Sequence, residues 1–499
     1  MIATVASAVL YGLAFPTTSW RLLAWVALVP WLLALRGASL RRALGLAWLW
    51  SVVMAYVVGD WFAPSLAKYY HQSYTVGLLL FFVVSSVTAG PYYAAFAVCY
   101  RMLVRRPGVA LPIIAGAAWT AAEFARARLL DVANPWALSG YSQIGFDRLV
   151  QIADFASVYG IAFLLGTVNA AIAEVLVAAR RRRPFPPALA GLGVAAALVV
   201  AVLAYGEFRL RTVVDPPGTA PVRLAMIQAN LDLGSLWQPD FYGRNLDVYL
   251  RLTQQVLPER PAVVVWPENA LTFLLEDEPL YRAAMAAVTG PAGVQLVTGG
   301  PRAVRASPPV YFNTLWLLSP RGRIEAFYEK ERLVPLGEYF PFRFFAALHH
   351  RFAHVREFSP GTTVAPLPTV VGPAGVTICN EAMFPEIASV RVRAGATYLL
   401  DPANDTWMTE KFSAQQFDIV TLRTVEQRRW LVRASTGGPS AIVDPLGRVR
   451  LRTAFATEAA VTGEIVPRTG LTPYARLGDV FAVGCTLVAL LGWLRAART

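Results

Sequence analysis

Gly375-Val376-Thr377-Ile378-Cys379-Asn380-Glu381 is a short apolar, β-branched run that ends on a cysteine and an acid. A run of this kind, bounded by turn residues, reads as a strand. Similar runs lie on either side at Val222 to Gln228, Ala262 to Trp266, Gln295 to Thr298, Thr314 to Leu318, Thr397 to Leu400 and Ala441 to Val443, with helical patterns at 240–257 and 413–430. Strands alternating with helices make an α/β domain, here of about 250 residues. Pro-Pro-Gly at 216–218 and Arg-Thr-Gly-Leu-Thr-Pro at 468–473 are read as its boundary linkers.

The rest of the chain reads as membrane protein. Over 499 residues, 56% are hydrophobic and only 15% charged, and the mean hydropathy is +0.46. A soluble domain carries about 25% charged residues, so intrinsic disorder and an ordinary soluble globule are both excluded. The net charge of +13 (45 basic minus 32 acidic residues) is spread between apolar runs, which argues against a nucleic-acid partner. Apolar segments at 2–15, 20–35, 43–66, 73–100, 109–127, 150–179, 187–206 and 477–494 suggest about eight spans, the first short and lacking the basic lead of a signal peptide. Arginines cluster after the second, fourth, sixth and eighth segments (Arg36, Arg41 and Arg42; Arg101, Arg105 and Arg106; Arg180 to Arg183; Arg495 and Arg498). Cytoplasmic loops carry this excess, so both termini are expected inside and the α/β domain outside. The expected organisation is a seven-span bundle at 1–206, an inserted extracytoplasmic domain at 220–467, and a last span at 477–495.

Several common chemistries are missing from the sequence. There is no Gly-x-x-x-x-Gly-Lys and no Gly-x-Ser-x-Gly. His350 and His354 have helical spacing, but no Glu or Cys in the run Phe344 to Phe352 completes a ligand set, so no metal and no cofactor are expected. Three residues stand out instead. Cys379 is the only cysteine outside the apolar segments, Lys330 is one of three lysines in an arginine-rich chain, and Glu268 follows Val263-Val264-Val265-Trp266-Pro267. A free thiol is only a few per cent thiolate at neutral pH, so a nucleophilic cysteine needs a base or a cation beside it. Glu268 can serve as base, and Lys330 can stabilise thiolate and oxyanion. Singly, each also fits a bland role: a small core residue, a surface carboxylate, an exposed charge. Asp60, Glu123, Asp154 and Glu174, within the apolar segments, fit either a lipid entrance or helix-to-helix contacts.

Val-Val-Trp-Pro-Glu-Asn at 264–269, Tyr-Glu-Lys-Glu-Arg-Leu-Val-Pro-Leu-Gly-Glu-Tyr-Phe-Pro at 328–341 and Ile-Cys-Asn-Glu-Ala-Met-Phe-Pro-Glu at 378–386 resemble, in order, the Glu, Lys and Cys motifs of the nitrilase superfamily. With the membrane frame, the chain resembles the apolipoprotein N-acyltransferase family. The likeness extends to Leu22 to Pro30, Gly140-Tyr141-Ser142-Gln143, Gln151 to Asp154, Val158-Tyr159-Gly160 and Asn404-Asp405-Thr406-Trp407. It implies an αββα domain with Cys379 as nucleophile, Glu268 as base, Lys330 as thiolate and oxyanion partner, Glu338 and Glu381 as supporting acids, and Trp237 on a lipid-facing loop. Asn380 departs from the aromatic, usually tyrosine, of the family, and Thr436-Gly437-Gly438 departs from a stretch with asparagine before its glycine. The implied activity is acyl transfer from a membrane phospholipid, through a Cys379 thioester, to the amino group of a diacylated apolipoprotein, by a monomer in the bacterial inner membrane. Two rivals are a non-catalytic partner of a polyprenol-phosphate glycosyltransferase and a transporter with an outer cap. A pure scaffold has no need of the Glu, Lys and Cys set, and no inverted repeat supports transport.

Overall fold

A computed structural model describes residues 1–15, 18, 20–70, 72–129, 133–181, 185–231, 239–335, 337–339 and 357–498. The chain forms two units, Met1–Thr212 with Leu477–Thr499, and Val213–Arg476.

The first unit is helical: α1 Ile2–Leu13, α2 Val29–Leu35, α3 Leu40–Val58, α4 Phe62–Tyr70, α5 Tyr74–Thr88, α6 Gly90–Leu103, α7 Leu111–Arg128, α8 Ala153–Arg181, α9 Phe185–Thr212 and a C-terminal helix, Val480–Ala497. Among the described residues, α3, α8, α9 and the C-terminal helix are long and apolar enough to cross a membrane, and α5 with α6 makes a fifth if the pair, bent by 44°, is one span. Of the other expected segments, α7 is as long as the C-terminal helix but carries Glu123, Arg126 and Arg128, and the rest are shorter or broken. Residues 20–35 begin as a 3-10 turn, Arg21–Trp25, and become α-helical only at Val29. The backbone there is satisfied by Asn169, which donates to the Ala24 carbonyl and accepts from Leu28 N, both at 2.8 Å. A side chain supplied by another helix thus replaces the missing helical bonds. Segment 43–66 breaks after Val58, at Gly59. Helices α7 and α8 approach through Gly116 and Gly166, and a Cβ on Gly116 would lie 2.1 Å from Thr167 Oγ1, the small-residue contact expected of membrane helices. Glu123 is bonded to Tyr11 and Ser139, Asp154 to Tyr205 and Arg209, and Glu174 to Arg36. These three acids therefore join helices of the bundle, and Asp60 is exposed.

The second unit holds two six-stranded sheets. In chain order the strands are β1 Val222–Gln228, β2 Val263–Val265, β3 Gln295–Val304, β4 Val310–Leu318, β5 Ile324–Glu329, β6 Leu367–Thr369, β7 Gly372–Val376, β8 Tyr398–Ala403, β9 Leu431–Ser435, β10 Ala441–Val443, β11 Val449–Arg452 and β12 Ala459–Ile465. One sheet runs β12-β1-β2-β3-β4-β5 and the other β11-β10-β9-β8-β7-β6. Alternate residues of each, such as Leu224, Met226, Val263 and Val265 against Val376, Leu400 and Val432, interleave in the core between them. The opposite face of the first sheet packs under α10 (Tyr242–Val256) and α11 (Pro279–Thr289), and that of the second under α12 (Pro385–Arg393) and α13 (Glu410–Gln427). The layers are helix, sheet, sheet, helix. β1, β2 and β3 are parallel neighbours, as are β7, β8 and β9. Parallel strands end on one edge of their sheet, where a loop can present side chains.

Candidate active site

Two of those ends, after β2 and β7, and the end of β5 carry the candidate catalytic residues. Glu268 follows β2 by three residues, and Gly299 of β3 lets its loop pass close: a Cβ there would lie 2.7 Å from Glu268 Cα. Lys330 directly follows β5, its N–H donating to the Asn313 carbonyl on β4 at 2.8 Å. Cys379 lies past β7. The strand read at 375–379 ends at Val376, and Cys379 opens a 3-10 turn, Cys379–Met383, with φ +54°. Left-handed backbone costs a β-carbon residue of order 1 kcal/mol and persists only where surroundings impose it.

The imposing group is Glu381. Its carboxylate is fully buried and accepts from Ile378 N at 2.7 Å, Glu331 N at 2.6 Å, Arg332 N at 2.9 Å and the Tyr328 hydroxyl at 2.9 Å. It ties the turn after Lys330 to the turn of Cys379. Burial pushes this carboxyl up to about 7, against the pull of its donors and of Lys330 and Arg391.

Lys330 is 1% exposed, and its Nζ lies 3.0 Å from Glu268 Oε1 and 2.9 Å from Glu338 Oε2. Asn313 Nδ2 donates to both acids at 2.7 Å. Glu268 also accepts from Asn404 N at 3.0 Å, and Glu338 from Val334 N at 2.7 Å. Burial opposes the ammonium charge, but the two carboxylates and Cys379 outweigh it, so Lys330 is held well above the usual lysine range. Cys379 is buried too. Burial and the Glu268 charge push its thiol well up, and Lys330 and Arg433 act to lower it.

Behind the sulfur lies a second buried cluster. Gln416 on α13 donates from Nε2 to Cys379 Sγ at 3.7 Å, and its Oε1 accepts from Arg433 Nη2 at 2.8 Å. Arg433 of β9 is paired with Asp401 and, at 3.0 Å, with Asp405.

With two carboxylates sharing one ammonium, the arrangement can take a thiol proton onto Glu268 without changing its total charge. That is the chemistry of a cysteine nucleophile with an adjacent base. Two family models match the chain: the apolipoprotein N-acyltransferase N-terminal domain over residues 7–171 and carbon-nitrogen hydrolase over residues 223–474. An apolipoprotein N-acyltransferase of Geobacter metallireducens is 32% identical over 99% of this chain and 95% of its own length. Those of Azotobacter vinelandii and Gloeobacter violaceus are 30% and 28% identical over 100% and 99% of this chain and 95% and 93% of their own lengths. The chain belongs to the apolipoprotein N-acyltransferase family.

In this member of the apolipoprotein N-acyltransferase family, Glu268, Lys330, Glu338, Cys379 and Glu381 converge on one site. Trp237, His71 and the histidines at 349, 350 and 354 lie outside the described residues. Asn313, Gln416, Arg433 and Asp401 are not marked by the sequence, and Asp405 is marked only as part of Asn404-Asp405-Thr406-Trp407, with no role assigned. An arginine inside the apolar run Leu431–Ser435 was the one available signal, since a buried charge on a strand must find partners. Asn380 donates from Nδ2 to the Arg332 carbonyl at 3.1 Å and so also braces the Lys330 turn.

Proposed function

We propose that the protein N-acylates apolipoproteins, taking the acyl group from a phospholipid through a thioester on Cys379. The observation that carries this reading is the buried Cys379, Lys330 and Glu268 set in a chain related over nearly its whole length to apolipoprotein N-acyltransferases. Glu268 takes the thiol proton as sulfur attacks the donor ester carbonyl. The C–S bond forms, Lys330 stabilises the oxyanion, the ester C–O bond breaks, and Glu268 returns the proton to the departing lysophospholipid hydroxyl. In the second half the acceptor's amine attacks the thioester, Glu268 takes a proton from nitrogen, the C–N bond forms, and the C–S bond breaks as Glu268 returns that proton to sulfur and restores the thiol. One well-placed donor at an oxyanion is worth roughly 3 kcal/mol.

The arginine pattern supports about eight spans, with residues 220–467 outside the cytoplasmic membrane and the flanking parts, 1–206 and 477–495, within it. That placement suits an acceptor whose amine is exposed after export, and a donor that never leaves the bilayer. A monomer suffices, because every reacting group named comes from one chain, and Trp237 is assigned to lipid contact.

The test is the covalent intermediate. Purified protein incubated with phospholipid alone should gain one fatty-acyl mass on the peptide containing Cys379, released by neutral hydroxylamine. A diacylated lipopeptide should discharge it as an amide. Cys379→Ala should carry none and Cys379→Ser little. Label on Cys99 or Cys485, or lipopeptide acylation by Cys379→Ala, would overturn the mechanism.

A further inference from the structure

We propose that Gln416 is a catalytic hydrogen-bond donor to the Cys379 sulfur, and that Arg433 is the residue that fixes its orientation. The proposal rests on the acyl-transfer reading for its catalytic meaning, though its physical claim concerns the thiol alone.

The geometry leaves Gln416 little choice. A guanidinium offers donors and no acceptor, so the Gln416 atom 2.8 Å from Arg433 Nη2 has to be the amide oxygen. The amide nitrogen then faces Cys379 Sγ at 3.7 Å, a usual length for N–H bonded to sulfur. Turning the amide over would set two donors against each other beside Arg433. Arg433 cannot yield, because Asp401 and Asp405 hold it, and Ser435 Oγ bonds Asp405 Oδ2 at 2.9 Å. Gln416, Arg433, Asp401 and Asp405 are all fully buried, so no water competes for these bonds.

Such a donor answers a need that Lys330 leaves unmet. Cys379 faces Glu268 after β2, Lys330 after β5, Asp405 after β8 and Arg433 on β9, and its own turn carries Glu381. Lys330 already serves Glu268 and Glu338, and Arg433 serves two aspartates. Both cations are therefore neutralised or outnumbered around the sulfur. A fixed N–H aimed at sulfur strengthens as negative charge arrives there. It acts when Cys379 gives its proton to Glu268 and attacks, and again when the C–S bond breaks and sulfur leaves with the electron pair.

A merely structural glutamine would do no more than satisfy Arg433, whereas Gln416→Leu and Gln416→Met remove the N–H without placing a new charge beside the sulfur. Full-length protein in detergent would be alkylated with iodoacetamide at fixed pH below the raised midpoint of the thiol, and the Cys379 peptide quantified by mass so that Cys99 and Cys485 do not interfere. The alkylation rate should fall at least tenfold in both variants. Acyl-enzyme formation at pH 7 should fall at least tenfold in both. Should Gln416→Leu fail to fold, Gln416→Met decides. A wild-type alkylation rate in the folded variant would overturn the proposal. Alkylation is read on the thiol without turnover, so this result stands apart from the acyl-transfer reading, which falls only if Cys379→Ala still acylates lipopeptide.

Discussion

The carboxylate of Glu381 has donors on both oxygens, from Ile378, Glu331, Arg332 and Tyr328. An amide at this position would set N–H against N–H, so Glu381→Gln should loosen both turns and lower acyl-enzyme formation about a hundredfold, the cost of roughly one to two unmet buried bonds. Protonation does something similar, so the acid limb of activity should lie near the value of about 7 to which burial raises this group. For stability the sign is opposite. The folded value exceeds the ordinary value of about 4.3, so the stabilisation from this group is complete below about pH 4 and is lost as pH climbs through about 7. Thermal unfolding of wild type and Glu381→Gln between those pH values should show the wild type losing ground to the variant as pH increases. Parallel curves would contradict this. Lys330 is a second residue-scale case. Its ammonium fits between Glu268 and Glu338 at 1% exposure, and a planar guanidinium is too large for that place. Lys330→Arg should therefore lose acyl-enzyme formation by at least a hundredfold, and near-normal labelling would refute its assignment.

Strand β9 and the loop after it form the wall behind the nucleophile. Gly438 N donates to Ser435 Oγ at 3.1 Å, and a Cβ at Gly438 would lie 2.0 Å from Asp405 Oδ2. The glycine is thus required by the close passage of Asp405. In this loop Thr436 accepts from Asn230 N through its backbone carbonyl at 2.8 Å. Gly438→Ala should push Asp405 off Arg433 and Ser435, lower stability by roughly 2–4 kcal/mol, and reduce Cys379 acylation at least tenfold. Thermal unfolding and acyl-enzyme mass together check this, and an unchanged midpoint would show that the loop absorbs the methyl. Strand recognition at this scale depended on continuous apolar runs. β5 alternates Ile324-Glu325-Ala326-Phe327 with an acid on its solvent side, β9 is interrupted by Arg433, and β6, β11 and β12 carry Pro368, two arginines and Gly463. Such strands are specified by their neighbours in the sheet more than by their own composition.

For the whole molecule the consequential expectation is sidedness. Arg305, in the second unit, has a 92% exposed side chain, and a cysteine there would be open to solvent. In Arg305→Cys, a membrane-impermeant maleimide should label intact spheroplasts well above the wild type, whose own three cysteines set the background. Labelling only after lysis would reverse the proposed orientation, and with it the access of an exported acceptor.

The sequence alone was enough to show a chain too apolar for water, an α/β stretch within it, a cysteine and an acid placed at or just beyond strand-like runs, and a rare lysine between them in the chain. Those are local signals: hydropathy over a window, short continuous apolar runs, and residue types whose chemistry is rare. What only the tertiary structure decided is which buried polar groups surround the sulfur. Asn313 meets Glu268 from 45 residues away and Gln416 meets Cys379 from 37. An asparagine on a strand and a glutamine on a helix carry no mark of such partners, because a hydrogen bond between distant residues is set by how sheets and helices stack. The left-handed turn at Cys379 was likewise hidden, since it is imposed by Glu381 reaching across to the Lys330 loop and not by any preference of cysteine itself.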